Sequence, residues 1–296
     1  MKLLLIYNPH AGHKRAGKLL PAVEAELKKL NIEFDLAVTD YRGHATELVR
    51  QADLGQYDGV VAAGGDGTLF EVVNGYFANP FSKRIPIGLI PVGTGNAFAR
   101  DLDLESSRWE EAVRIISRNK PRKVDVGYFR THGQTYYYLN ILGLGFVADV
   151  GETARKLKIF GSVSYTLGVL YQTLFLKVTP LRIHIDGRTI DRESAFIEIS
   201  NTRYTANFLM APHAKIDDGL LDVTLVGKLT RKRLLQCFPK IFTGEHIHME
   251  EVETFQTNKL TIESDVTKIL TPDGELLGIT PVQIECLPQA IEVFWK

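Results

Sequence analysis

The sequence predicts an N-terminal α/β domain built on a parallel sheet, followed by a C-terminal half of mostly antiparallel strands, consistent with a β-sandwich. Three observations carry this expectation. Through residue 120, short apolar runs alternate with segments of helical spacing, the pattern of βαβ units. Two of those runs end in glycine turns, Gly64-Gly65-Asp66-Gly67-Thr68 and Pro91-Val92-Gly93-Thr94-Gly95-Asn96, and each turn opens onto a helix. Past Pro121 the texture shifts to alternating apolar and polar residues, as in strands with one buried face.

In chain order, residues 2–7 form a buried strand, and Asn8-Pro9-His10-Ala11-Gly12 turns the chain into a helix that begins near Lys14, Arg15 and Lys18 and ends near Asn31. Residues 32–38 alternate as a second strand, the loop from Thr39 to His44 follows, and 45–52 is helical. Residues 57–63 are a short apolar run bounded by turn residues, hence a buried strand. Leu69, Val72 and Val73 then mark a helix after the first glycine turn. Residues 85–90 supply another strand, and 108–118 an amphipathic helix through Trp109, Ala112, Val113 and Ile116. Both glycine turns therefore fall past the carboxyl ends of strands, where sheets of this kind bind ligands.

In the second half, residues 123–129 and 135–142 alternate on either side of a turn at 131–134. Further strands are expected at 181–185, 194–200, 221–226, 259–264 and 278–286, with Asp186-Gly187 as a hairpin signal. Helices are expected at 146–159, along Val163, Leu167, Leu170, Tyr171 and Leu174, and at 231–242. The domain boundary is placed at 123/124, giving domains 1–123 and 124–287. The last strand, 290–295, is able to return to either half, so 288–296 is a candidate extension of the first domain.

Composition narrows the classes of function. The 296 residues are 45% apolar and 24% charged, ordinary for a globular chain with ample core. Thirty-five basic residues balance thirty-five acidic ones, so no global field recruits nucleic acid, and attraction to a membrane would need local patches. The two cysteines, Cys237 and Cys286, form no metal motif and suit a reducing cytosol. The N-terminus lacks a cleavage region and reads as a strand; the least charged long run, 160–176, is too polar to span a bilayer. A cytoplasmic protein, at most peripheral to a membrane, is expected.

The chemistry centres on Gly64-Gly65-Asp66-Gly67-Thr68. Three glycines in four positions free the backbone and remove the Cβ atoms that would keep a ligand away. A helix starting at such a turn aims N–H groups and its positive dipole end at the ligand, so phosphate is the natural guest. Asp66 would repel phosphate unless a divalent cation lies between them. The plainer alternative is a glycine-rich turn whose aspartate caps the helix.

Taken together, Asn8 to Gly12, the first glycine turn followed by Asn74-Gly75, and the second glycine turn resemble the diacylglycerol kinase catalytic-domain family, which includes sphingosine and ceramide kinases and soluble bacterial lipid kinases. The resemblance continues at Asn140-Ile141-Leu142-Gly143-Leu144-Gly145-Phe146, at Asp217-Asp218-Gly219-Leu220-Leu221-Asp222 and at Asp273-Gly274-Glu275. These landmarks keep family order over nearly the whole chain. The resemblance implies a nucleotide domain of the NAD kinase and phosphofructokinase type, a β-rich lipid domain, and transfer of phosphate from ATP with Mg²⁺ to a lipid alcohol. By matched motif, Gly64, Gly65, Asp66, Gly67 and Thr68 would hold the phosphates, with Asn8, Thr39, Glu71 and Thr94 at the nucleotide. Asp66 would reach Mg²⁺, with Asp125 as a second acidic position near the metal. Asp273 resembles the catalytic base, with Glu275 the next choice, while a plain Asp-Gly turn remains open for Asp273. A second Mg²⁺ held by Asp218 and the carbonyls of Lys215 and Leu220 is also implied, against an ordinary Asp-Asp-Gly turn.

One departure stands out. Many bacterial diacylglycerol kinases carry aspartate after the asparagine of the second glycine turn, whereas this chain has Ala97, closer to the sphingosine and ceramide kinase pattern. Diacylglycerol is thus one acceptor among several. Phe146, Leu157, Phe160, Val163, Leu167, Leu170, Leu174 and Phe175 either line an acyl cleft or pack on the sheets. Basic clusters at 155–158 and 231–233 are either solvated faces or contacts to an anionic bilayer, and a homodimer is an option. The rivals are a kinase of a soluble acceptor such as NAD⁺ and a nucleotide- or lipid-binding relative without turnover.

Overall fold

The computed structural model describes residues 1–81, 84–105, 108–146, 153 and 177–296. The chain divides into two compact units, Met1–Asp125 with Gln289–Lys296, and Val126–Pro288.

The first unit is a parallel sheet with helices between successive strands. The elements are β1 (Lys2–Tyr7), α1 (Arg15–Lys29), β2 (Glu33–Val38), α2 (His44–Gln51), β3 (Gly59–Gly64), α3 (Asp66–Phe77), β4 (Ile87–Pro91), α4 (Ala97–Asp101) and α5 (Trp109–Ser117). The strands run β4-β3-β1-β2 and pair parallel throughout. β3 is buried along its whole length, as its unbroken apolar run requires. β2 is the edge strand and largely exposed, and the pairing of Lys2 with Asp35 at 2.9 Å puts charge along it. The returning C-terminal segment lies parallel to β4, Val293 opposite Ile87, so residues 289–296 belong to this unit.

The second unit is antiparallel and sandwich-like. It contains most of β5 (Pro121–Thr131), then β6 (Gln134–Tyr138), β7 (Ile141–Gly145), β8 (Thr179–Ile185), β9 (Arg188–Ser200), the small hairpin of β10 (Tyr204–Thr205) and β11 (Phe208–Leu209), β12 (Leu221–Gly227), α6 (Arg231–Cys237), β13 (Val252–Thr257), β14 (Lys259–Glu263), β15 (Leu270–Pro272) and the first part of β16 (Val282–Phe294). β9 is shared. Its first half pairs with β8 and its second half lies between β12 and β7. Asp186 and Gly187, both at positive φ, close the expected hairpin between β8 and β9.

Four sequence expectations are revised. The single strand expected over 135–142 is two, interrupted at Leu139 and Asn140, whose N–H groups are used elsewhere as described below. The separate strands expected at 278–286 and 290–295 are one, β16, which continues past Pro288 and a left-handed Gln289. The helix expected over 231–242 is α-helical to Cys237 and a 3₁₀ turn over Phe238–Phe242, where Pro239 lacks an N–H. β13 and β15 were not expected, β13 being mostly exposed without clean alternation and β15 only three residues long. The helices expected at 146–159 and 163–174, the basic cluster at 155–158 and the cleft residues from Leu157 to Phe175 lie outside the described residues.

Candidate functional site

The two glycine turns meet in the first unit. The N–H groups of Val92 and Gly93 both donate to the Gly64 carbonyl, at 3.0 and 2.9 Å. A Cβ on Gly93 would sit 2.4 Å from the Gly65 Cα, so the backbones cross at a distance that only glycine permits. α3 begins at Asp66, and the Thr68 N–H in its first turn donates to the Gly65 carbonyl at 3.0 Å. Thr68 closes the turn: it is buried, and its Oγ1 accepts from the Asn8 Nδ2 at 3.0 Å. Asn8 in turn accepts the His10 N–H at 3.0 Å and donates its own N–H to Ala63 at 2.9 Å. Asn8, Gly64, Gly65, Asp66, Gly67 and Thr68 are thus brought together.

The Asp66 carboxylate turns toward α4, not its own helix. Its Oδ1 accepts the Phe98 N–H at 3.4 Å. Burial pushes its pKa above the usual carboxylate range, opposed by the N–H groups of Ala97, Phe98 and Asn96. A Cβ on Gly95 would stand 2.8 Å from its Oδ2, so glycine is what leaves that oxygen room. Asp66 therefore does cap a helix, but the one after the second turn. A carboxylate disfavoured as an anion by burial is one that a cation stabilises.

Thr39 is buried and donates its N–H to Tyr7 at 2.9 Å. Glu71, expected at the nucleotide, accepts the N–H groups of Gly43 and Ala45 at 2.7 and 3.1 Å, capping α2. Thr94 is exposed on the second turn. Asp125 is fully buried, and its Oδ1 accepts the Gln289 N–H at 2.7 Å, which holds the returning chain in place. Among the described residues no group of three or more His, Cys, Asp or Glu side chains comes together. A cation at Asp66 would be shared with phosphate oxygens, the manner in which Mg²⁺ is commonly held.

In the second unit, Asp273 anchors β7. Its Oδ1 accepts the N–H groups of Asn140 and Ile141 at 2.8 and 3.0 Å, and its Oδ2 that of Leu139 at 3.0 Å. Its own N–H donates to Ile141 at 2.9 Å, and its φ of +47° places it in the left-handed region ahead of Gly274. Glu275 is half-buried beside Asp273, its N–H on the Pro272 carbonyl at 2.7 Å. The exposed Asp218 accepts the Leu220 N–H at 3.1 Å, and Lys215 precedes this turn in sequence.

Two polar groups escaped the sequence reading. Asn201 donates its side-chain Nδ2 to the Leu139 carbonyl at 2.9 Å and its N–H to Asn140 at 2.8 Å, which fixes the segment that holds Asp273. Its signal was the polar run Ser200-Asn201-Thr202 at the end of an apolar strand. Glu198 is buried in β9, bonded by the Thr205 and Ser200 hydroxyls, and burial pushes its pKa up to about 7. Nothing in its local sequence marks it.

Comparison with known proteins gives one consistent answer. Residues 2–129 match the family described as diacylglycerol kinase catalytic domain, and residues 140–295 the YegS C-terminal NAD kinase beta sandwich-like domain. A diacylglycerol kinase of Bacillus subtilis (strain 168) is 30% identical over 292 residues, spanning 98% of this chain and 94% of that one. A diacylglycerol kinase of Staphylococcus haemolyticus is 33% identical over 98% of this chain and 86% of its own length. Among solved structures, one from Bacillus anthracis str. Sterne superposes with a TM-score of 0.80 at 26% identity, over all of this chain and 97% of that one. Another from the same source, a diacylglycerol kinase at 24% identity, shares the fold with a TM-score of 0.72.

Proposed function

The chain belongs to the diacylglycerol kinase catalytic-domain family, and from that membership we propose that it transfers the γ-phosphoryl group of ATP to the hydroxyl of a lipid alcohol, giving a lipid phosphate and ADP. The observation that carries this reading is the crossing of the two glycine turns beneath Asp66, which leaves helix N–H groups and one burial-destabilised carboxylate at a single place. The Gly64–Thr68 turn holds the phosphates, and Asn8 keeps Thr68 in position. Asp66 would hold Mg²⁺, which would neutralise charge developing on the transferred group. Asp125 would be a second acidic position near that metal, and Asp218 with the carbonyls of Lys215 and Leu220 would hold a separate Mg²⁺.

Asp273 orients the acceptor hydroxyl and takes its proton as the new oxygen–phosphorus bond forms and the bond to ADP breaks, with Glu275 the alternative. Phosphoryl transfer passes through a loose transition state in most analyses, so a positioned, weakly basic carboxylate suffices. No helix among the described residues is long and apolar enough to cross a membrane, and the enzyme would meet its lipid as a peripheral protein. Ala97 keeps both diacylglycerol and a sphingosine-type alcohol as acceptors. A second reading, binding without turnover, draws on the three N–H bonds already spent on Asp273.

The test is transfer of labelled γ-phosphate from Mg·ATP to diacylglycerol, phosphatidylglycerol, sphingosine, ceramide and undecaprenol in mixed micelles, with NAD⁺ as soluble control. A labelled lipid is the expected result. Label on NAD⁺ alone would move the chain to a soluble-acceptor kinase, and nucleotide binding without label on any acceptor would favour the second reading.

A further inference from the structure

α6 and the 3₁₀ turn after it form one amphipathic element whose outer face is unusual. Inward, Leu234 and Cys237 are buried in a cluster with Phe208, Met210 and Val252. Outward, an element on a water-exposed surface would carry polar side chains. Here Leu235 is 44% and Phe242 47% exposed, and with the exposed Pro239 they recur at spacings of four and three along one side. Phe242 is not loose: its ring packs 4.9 Å from that of Phe208 and 5.6 Å from that of Phe238.

Basic side chains flank this stripe, with the acids Glu250 and Glu251 set at Arg233. Arg231 and Lys232 are exposed at its start and Lys240 stands half-exposed beside it. Among the described residues none of the three has a carboxylate partner, whereas Arg233 is bound to Glu251 at 2.6 Å and Lys228 to Glu193 at 3.1 Å. Glu245 is the acid nearest in sequence on the far side.

We propose that this face, Leu235, Pro239 and Phe242 flanked by Arg231, Lys232 and Lys240, docks the protein on an anionic lipid bilayer. Exposed aliphatic and aromatic side chains ringed by cations are what an interfacial helix uses, the apolar groups entering the headgroup boundary while the cations meet lipid phosphates. A protein partner fits less well, because a stable interface buries roughly 800 Å² per side, far more than two half-exposed side chains offer. The inference deepens the lipid-kinase reading and rests on it for its purpose.

The experiment is sedimentation of the full chain with vesicles of phosphatidylcholine alone or mixed with phosphatidylglycerol. The wild type is expected to bind only the mixed vesicles and to be released by salt. Arg231→Gln with Lys232→Gln should weaken binding about thirtyfold, equivalent to about 1 kcal/mol for each charge. Leu235→Ser should also weaken it, and because that side chain lies outside the core its thermal unfolding should match the wild type. Wild-type binding by both variants, equal binding to neutral vesicles, or a Leu235-dependent dimer would each overturn the proposal. Transfer to lipid dispersed in detergent micelles needs no bilayer and should be unchanged in both variants. Loss of transfer in the wild type with vesicle binding intact would remove the kinase reading and leave the docking face standing.

Discussion

The Asp273 Oδ1 accepts the Asn140 N–H at 2.8 Å across 133 residues of chain. With the bonds from Leu139 and Ile141, one carboxylate closes the gap between β6 and β7 and is also the group proposed to face the acceptor hydroxyl. Asp273→Asn tests both roles. The amide NH₂ would oppose one N–H that the carboxylate now accepts, so a loss of about 1–3 kcal/mol of stability is expected. Turnover should fall about 10²- to 10⁴-fold, the usual range for a positioned acid–base group, while nucleotide affinity stays near wild type. Chemical denaturation and steady-state kinetics read the two effects separately; wild-type turnover would leave Asp273 a purely structural group.

Gly93 and Gly65 cross at backbone contact. Gly93→Ala would force a Cβ to within 2.4 Å of the Gly65 Cα, with no flexible side chain to yield. The expected outcome is loss of nucleotide binding, with destabilisation on the order of 2 kcal/mol or more from backbone strain. Calorimetric titration with ATP and thermal unfolding check it, and unchanged affinity would mean that the crossing does not build the site.

Glu71 has been given two roles, and Glu71→Gln separates them. As the cap of α2, Glu71 accepts from Gly43 and Ala45 with both oxygens. Gln supplies one acceptor and turns an NH₂ toward the other donor, costing about 1 kcal/mol of stability. If capping is its work, KM for ATP changes little once the protein is folded. A KM raised tenfold or more at unchanged stability would return Glu71 to the nucleotide.

Glu198 makes stability depend on pH. Burial raises its pKa from 4.5 to about 7 in the folded chain, so the folded state holds the proton more tightly than the unfolded one. The stabilisation this gives is complete below pH 4.5 and is lost as pH rises through about 7. Glu198→Gln keeps a neutral acceptor for Thr205 and Ser200 and removes the titration. Denaturation from pH 4.5 to 8 should show the wild type losing stability relative to the variant, by about 3 kcal/mol as an upper figure. Parallel curves would mean that Glu198 is charged in the folded protein.

The α/β half was legible because its signals are local. Apolar runs, helical spacing and two glycine turns announce β3–α3 and β4–α4, and Ala97 was visible as a departure. Contacts made through the backbone were not. Asp273 could be placed on a turn, yet its partners are peptide N–H groups at 139–141, which carry no side-chain signature. Glu198 was hidden differently. Alternation puts it beside Phe196 and Ser200 on one face of β9, and its burial follows from having β12 and β7 on either side, Thr224 and Gly143 opposite it. The caps that Asp66 gives to α4 and Glu71 to α2 were hidden in the same way, because their partners Phe98, Gly43 and Ala45 lie on elements distant in sequence.

The crossed glycine turns are proposed to place Asp66 for phosphoryl transfer to a lipid. The most direct test is single-turnover transfer of labelled γ-phosphate from ATP to diacylglycerol in micelles across a Mg²⁺ titration, comparing wild type with Asp66→Asn. Asparagine keeps the size and an oxygen for the Phe98 N–H but loses the charge. Transfer should saturate with Mg²⁺ in the wild type and fall at least ~10²-fold in the variant, with thermal unfolding close to wild type. Equal transfer by the two proteins at every Mg²⁺ concentration would contradict it.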